Sequence, residues 1–418
     1  MPTPQPPAMG APIPPDEGSS LGRKGVTPRS SLDSLPEELL ANICSFLPPP
    51  DTANPSPVAG VCRVSRKFHR ISLPYLYRHV HKQSGCRGAS LIRTLRENPD
   101  LAKIVTVIST DPADSHHHWK EDEEVRVDHA QMPDLLQLLP SLEKLDLQGF
   151  CEGFSREYGL ISRGSEWLHI EQGFLPKLRE VSLDFRSLVN HYDLAFSLQL
   201  PTIKVVNLVN ESISLSMLSR SPPANYNVET LKLTDFGGWT LVREDELVQS
   251  FKSLKNFSIQ YERVFKRFQF KTLLEEQQES LEQLEVIISK TWYHDDLAFY
   301  KCRGGVSGMA GLDRFTNLSS LRADYLSLAG LGPDALPISQ LPMPPNLRRL
   351  RIDVRGAGII TLQAELRDLA VLRCRLGELP SLTSVIVATD NQGSSKMVKE
   401  LEELFGESSV KFEQINQA

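Results

Sequence analysis

Apolar positions along this chain follow two different periods. Between Ser34 and Leu47, the residues Leu39, Leu40, Ile43, Phe46 and Leu47 recur at helical spacing and predict a short amphipathic helix. Ser34 and Glu37 have capping-box spacing, and Pro36 is expected in the first turn, where its missing N–H costs nothing. Pro48-Pro49-Pro50 should end the helix, because proline lacks a donor and pushes the preceding residue out of helical space. Val61, Val64, Phe68 and Ile71 predict a second helix, closed by Pro74. From Leu142 the period changes. The pattern L-x-x-L-x-L, with aliphatic or aromatic substitutes, recurs at Leu142/Leu145/Leu147, Leu178/Val181/Leu183, Ile203/Val206/Leu208, Val228/Leu231/Leu233, Leu254/Phe257/Ile259, Leu281/Leu284/Val286, Leu318/Leu321/Ala323, Leu347/Leu350/Ile352 and Leu382/Val385/Val387. Its alternation predicts one short strand per copy, with every second side chain turned inward.

First positions of successive copies lie 36, 25, 25, 26, 27, 37, 29 and 35 residues apart, the mark of a solenoid whose units are buried only by their neighbours. Leu139-Pro140, Leu175-Pro176, Leu200-Pro201 and Leu379-Pro380 introduce four of the strands. Glu244 to Phe251 and Lys271 to Leu281 have the composition of returning helices, and the three long steps imply insertions, notably Gly149 to Phe174 and Ser289 to Arg314. Leu101 to Ile104 reads as a weak opening repeat after a helix at Leu91 to Glu97. These copies resemble leucine-rich repeats, without the Asn that usually follows the strand; Phe150, Phe236 and Tyr261 stand near that bend instead. The expected fold class is therefore α/β: an N-terminal helical unit, then an irregular leucine-rich-repeat solenoid of parallel strands with helices or loops on its convex side. A β/α barrel is disfavoured, since its eight units need a longer period.

The helical unit carries a second resemblance. Leu35-Pro36-Glu37-Glu38-Leu39-Leu40, Ile43, Phe46-Leu47 and Val64-Ser65-Arg66-Lys67-Phe68, closed by Leu73-Pro74-Tyr75-Leu76-Tyr77, are similar to an F-box. The stretch Pro48 to Pro57 is longer than the family's usual turn and offers Asp51-Thr52 where Asp-Leu is customary. An alternative register on Val61-Cys62-Arg63 puts Ser65 where an aromatic is expected, so the later one is preferred. The resemblance implies docking onto a Skp-type adaptor, and through it a cullin, by burial of Leu35, Pro36, Leu39, Ile43, Leu47, Val64 and Phe68. So small a unit buries little of its own surface, which also points to completion by a partner. The expected domains are a disordered Pro-rich tail over 1–30, the F-box over 31–82, a linker with a weak capping repeat and an acidic loop over 83–136, and the solenoid over 137–418.

Composition narrows the classes. With 418 residues, 40% hydrophobic and 23% charged, the chain has ample core for two or three domains. A net charge of −6 gives no general attraction to nucleic acid, and no run approaches the ~18 apolar residues of a membrane helix. Six scattered cysteines with no framework spacing, and no apolar leader, point to a reducing compartment, cytoplasmic and/or nuclear. Eight prolines among residues 1–30 leave the tail too little to bury; Thr27-Pro28 near basic residues is a candidate phosphorylation site within it. Charge is lopsided next to the F-box: residues 61–90 hold Arg63, Arg66, Lys67, Arg70, Arg78, Lys82 and Arg87 but no Asp or Glu, which fits an acidic protein partner. Residues 111–130 reverse the sign and carry His116-His117-His118, which lack metal-ligand spacing.

Chemistry is sought and not found. No phosphate loop, nucleophile elbow or zinc-protease motif is present; Gly304-Gly305 lacks the accompanying Lys, and His294-Asp295-Asp296 has no nucleophile beside it. No catalytic residue, cofactor or metal is expected. Binding falls instead to the outward column Asp146, Ser182, Asn207, Lys232, Ser258, Glu285, Arg322, Arg351 and Ile386, flanked by Lys144, Gln148, Asp184, Thr230, Asn256, Gln260, Asp324 and Arg349. Of these, Asp146, Asn207, Lys232, Ser258, Glu285, Arg322, Arg349 and Arg351 are the candidate contacts to a protein substrate. The basic end at Arg322, Arg349 and Arg351 points to an acidic or phosphorylated segment. The expected function is a non-catalytic substrate-recognition subunit of an SCF-type cullin–RING ubiquitin ligase. The alternative is an interaction scaffold that works through the adaptor, or the repeats, outside a cullin ligase.

Overall fold

The computed structural model describes residues 34–48, 56–82, 87–110, 132–147, 175–184, 200–209, 227–236, 248–261, 273–288, 309, 311–330, 336–354, 358–371, 379–389 and 395–416. The Pro-rich tail, the acidic loop with its His run, most of both long insertions, Gly304-Gly305 and His294-Asp295-Asp296 lie outside the described residues.

Three helices open the described chain: α1 (Glu37–Phe46), α2 (Pro57–Cys62) and α3 (Arg66–Arg78). Pro36 is not in the first turn of α1. It occupies the N-cap in an extended conformation, and its carbonyl accepts the Leu39 and Leu40 amides, both at 3.2 Å. The expected second helix is two, broken at Val64. Ser65 starts the later one by accepting the Phe68 amide at 3.3 Å. Pro74 does not close α3 but lies inside it. A proline there costs about 3 kcal/mol in isolation; the helix nonetheless continues to Arg78, and Tyr77 beyond the proline packs against the sheet core.

No linker follows. From Arg78 the chain passes directly into β1 (His79–Lys82), and Val80 joins the core of the sheet. The region expected to be a linker supplies α4 (Arg87–Glu97), α5 (Pro99–Ala102), β2 (Val107–Thr110) and α6 (Met132–Gln137). Then come β3 (Lys144–Leu147), β4 (Glu180–Asp184), β5 (Val205–Val209), β6 (Thr230–Phe236), β7 (Asn256–Tyr261), β8 (Gln283–Ile288), β9 (Ser320–Asp324), β10 (Arg349–Val354), β11 (Ser384–Thr389) and β12 (Lys411–Asn416). All twelve form one parallel sheet in chain order, as in a solenoid.

The repeated apolar pattern builds this sheet's core. Its second and third positions are the inward residues of β3 to β11, and its first position tucks under the strand; those described are all buried. The four Leu-Pro pairs make a specific turn. In each, the buried leucine's carbonyl accepts the amide three residues on, as Leu139 does from Leu142 at 3.2 Å, with proline where its fixed φ suits the turn. Strands β1, β2 and β12 fall outside the pattern because they are short or carry few inward aliphatics.

Returning arms vary along the sheet. The expected helix at Lys271 to Leu281 is a 3-10 turn, Glu275–Gln277, in which buried Gln277 donates to the carbonyls of Val248 at 3.0 Å and Phe251 at 3.2 Å. Of the expected Glu244 to Phe251 helix, residues 248–250 are described and helical. Later repeats use α7 (Tyr325–Ala329), α8 (Gly358–Val371) and α9 (Ser395–Gly406). Glu365 fastens α8 by accepting the Tyr325 hydroxyl at 2.6 Å and the Ile338 amide at 2.8 Å. Burial first, then that carboxylate, pushes the Tyr325 pKa up. Phe405 and Phe412 stack with centroids 5.6 Å apart and hold α9 to β12.

Candidate functional site

Two surfaces stand out, one on the helices and one on the sheet. Helix α1 is apolar on two adjacent stripes. Leu40 and Cys44 are buried toward α3, whereas Leu39, Ile43 and Phe46 remain 50%, 44% and 80% exposed. These three sit at i, i+4 and i+7, so they form one continuous outward stripe. Val64, in the turn between α2 and α3, is 63% exposed. Leu35 and Leu47 are half-buried and Pro36 is exposed.

Phe68 departs from this group. It is only 5% exposed and belongs with Val58, Leu40 and Ser72 inside the helical unit, so it offers no surface to a partner and is corrected to a core residue. The motif around it has structural work: Lys67 donates to the Leu35 carbonyl at 2.7 Å, and Arg70 forms an ion pair with Glu37. Both ties fasten α3 to the start of α1 and so set the stripe's orientation. Arg63, Arg66 and Arg78 stay exposed without a partner among the described residues, giving the unit a cationic rim. Burial, and secondarily Cys62, pushes the Cys44 thiol pKa up, so it stays protonated.

On the sheet, register places the outward residues in line. The column runs His81, Ser109, Asp146, Ser182, Asn207, Lys232, Ser258, Glu285, Arg322, Arg351, Ile386 and Glu413 across β1 to β12. Many of these polar groups hold one another. Asn207 donates to Ser182 at 2.9 Å and Glu180 at 3.1 Å, Lys144 pairs with Glu180 at 2.7 Å, and Ser258 donates to Glu285 at 2.9 Å.

The basic end differs most from expectation. Arg322 is held between Glu285 and Asp353, the latter at 2.9 Å, and Arg351 donates to the other Asp353 oxygen at 2.9 Å. Asp353, 1% exposed, was not among the candidates, although its place two residues after Arg351 puts it on the same strand face. Asp324 is likewise buried rather than open; it caps α7 by accepting the Ser327 amide at 3.0 Å. Lys232 and Arg349, in contrast, are exposed and have no partner among the described residues. Gln148 lies outside them.

A depression of about 310 Å³ crosses β6 to β9, lined by Lys232, Asn256, Ser258, Gln283, Glu285 and Arg322 among others. Candidate contacts Lys232, Ser258, Glu285 and Arg322 meet there. Asp146 and Asn207 lie on earlier strands, and Arg349 and Arg351 on the strand just beyond it.

At the first edge, the Ser109 hydroxyl sits 3.0 Å from His79 Nε2 and 2.8 Å from His81 Nδ1. Burial, then His81 and Lys144, lowers the His79 pKa. A histidine whose folded pKa lies below the unfolded value of about 6.5 binds fewer protons in the fold, so stability is lost as pH falls below that value. His79→Asn is therefore expected to flatten the fall in thermal midpoint between pH 7.5 and 5.5. Parallel curves for the two chains would exclude this contribution.

Comparison with known proteins fits the helical unit. The F-box-like family matches residues 32–83, which span α1 to β1. No curated protein matches the chain. The chain thus carries an F-box-like domain running directly into a parallel solenoid-like sheet. Among the described residues, no helix is long and apolar enough to cross a membrane, and no three His, Cys, Asp or Glu side chains gather as a metal site.

Proposed function

We propose that this protein is the substrate-recognition subunit of an SCF-type cullin–RING ubiquitin ligase. Its F-box-like helices dock a Skp-type adaptor, and its sheet, a divergent leucine-rich repeat, holds a protein substrate on the open face. The observation that carries this reading is the uncovered stripe Leu39, Ile43 and Phe46, inside a unit matched as F-box-like. Burying each of these side chains contributes about 1.5–3 kcal/mol, so an isolated stripe of this size is best explained by a partner that covers it. The cationic rim of Arg63 and Arg66 favours an acidic partner. Catalysis belongs to other subunits, and this chain acts by bringing its substrate within their reach.

Purified full-length chain mixed with a Skp-type adaptor and a cullin tests this directly. The expected result is one co-eluting complex of all three. Adaptor without cullin identifies the scaffold alternative, and elution of the chain alone removes both readings.

A further inference from the structure

The lining of the depression on β6 to β9 indicates what it accepts, taking the receptor reading as given. Its floor is balanced: Arg322 and Arg351 offset Glu285 and Asp353, and Thr230, Asn256, Ser258, Gln283 and Ser320 supply hydroxyls and amides. Such groups donate and accept in pairs, as peptide backbone does. Among the described residues on this part of the face, charge without a counter-ion remains on Lys232 on β6 and on Arg349, which follows Ser320 in register on β10. These strands are four spacings apart, about 19 Å. An extended peptide advances about 3.4 Å per residue, so five or six residues bridge the two cations.

We infer that the open face binds an extended, unphosphorylated acidic peptide whose two carboxylates, five or six residues apart, pair with Lys232 and Arg349. A phosphate dianion fits less well. Each end offers a single cation without a partner among the described residues, whereas the arginines that could chelate a phosphate are occupied by Glu285 and Asp353. On this reading Arg322 and Arg351 support the floor, and Lys232 and Arg349 take the acidic groups.

A displayed library of random sixteen-residue peptides, selected on the full-length chain, is the test. Enriched peptides should carry Asp or Glu pairs at five- or six-residue separation, and their synthetic versions should bind more weakly as salt rises. Lys232→Glu and Arg349→Glu should each weaken them about five- to tenfold, and the double variant more. Phosphoserine in place of either acid should give no tighter binding. No enrichment, no preferred acid spacing, affinity unchanged in the double variant, or a gain from phosphoserine each overturns the inference. Adaptor binding, assayed on the same preparations, is independent of Lys232 and Arg349. Its absence alone therefore defeats the receptor reading and not this one.

Discussion

A chain carrying Ile43→Asp and Phe46→Asp is expected to lose capture of a Skp-type adaptor by about a hundredfold or more while remaining folded. Two apolar anchors would be exchanged for charges that the partner must desolvate, and each buried anchor contributes about 1.5–3 kcal/mol. Folding should be nearly indifferent, because both side chains already face water. Aspartate inside a helix costs only about 0.5 kcal/mol by propensity. Calorimetric titration against the adaptor, with a thermal scan of each chain, measures both halves. Wild-type affinity in the double variant would move the docking surface elsewhere.

The second large effect concerns stability. Arg322→Met with Arg351→Met is expected to destabilise the protein by about 3 kcal/mol, because Asp353 is left buried without a cation. The figure sits at the low end for a broken buried pair, since both guanidiniums are about a third exposed and partly screened by water. Adding Asp353→Asn should recover most of the loss by removing the stranded charge. Denaturant unfolding of the three chains decides the matter. An unchanged midpoint in the double variant would show that the network contributes nothing to the fold. Specific loss of peptide binding without loss of stability would return the arginines to a direct recognition role.

Much of this architecture was legible in the residues, and the places where it was not have two separate causes. Leucine spacing located nine strands and their inward faces, because a period of two leaves only one way to bury every second residue. Register then followed, so the outward column could be written in order before any strand was paired. Strands β1, β2 and β12 escaped notice because HVHK, VIST and KFEQIN hold too few repeated aliphatics to stand out from loops. Pro74 was misread for a different reason. Local chemistry says a helix stops there, whereas in the fold α3 packs on α1, α2 and the sheet and runs on to Arg78.

Site residues divide along the same line. The F-box resemblance grouped Phe68 with Val64, Ile43 and Leu39, but it could not say which would be covered by a neighbouring helix. Both arginines are on the expected face, yet the carboxylates that hold Arg322 come from strands 31 and 37 residues away in the chain, and only Arg351 has its partner, Asp353, close by in sequence. By itself, then, the sequence determined the strand count of the central repeats, the inward and outward columns, and the first F-box-like helix, since these depend on short-range periodicity and local turn chemistry. Tertiary structure alone decided that α3 runs directly into the sheet, that Phe68 is core while Phe46 is bare, and that Lys232 and Arg349 have no partner among the described residues. Coverage and charge balance depend on what neighbouring elements bring, and no window of sequence contains those neighbours.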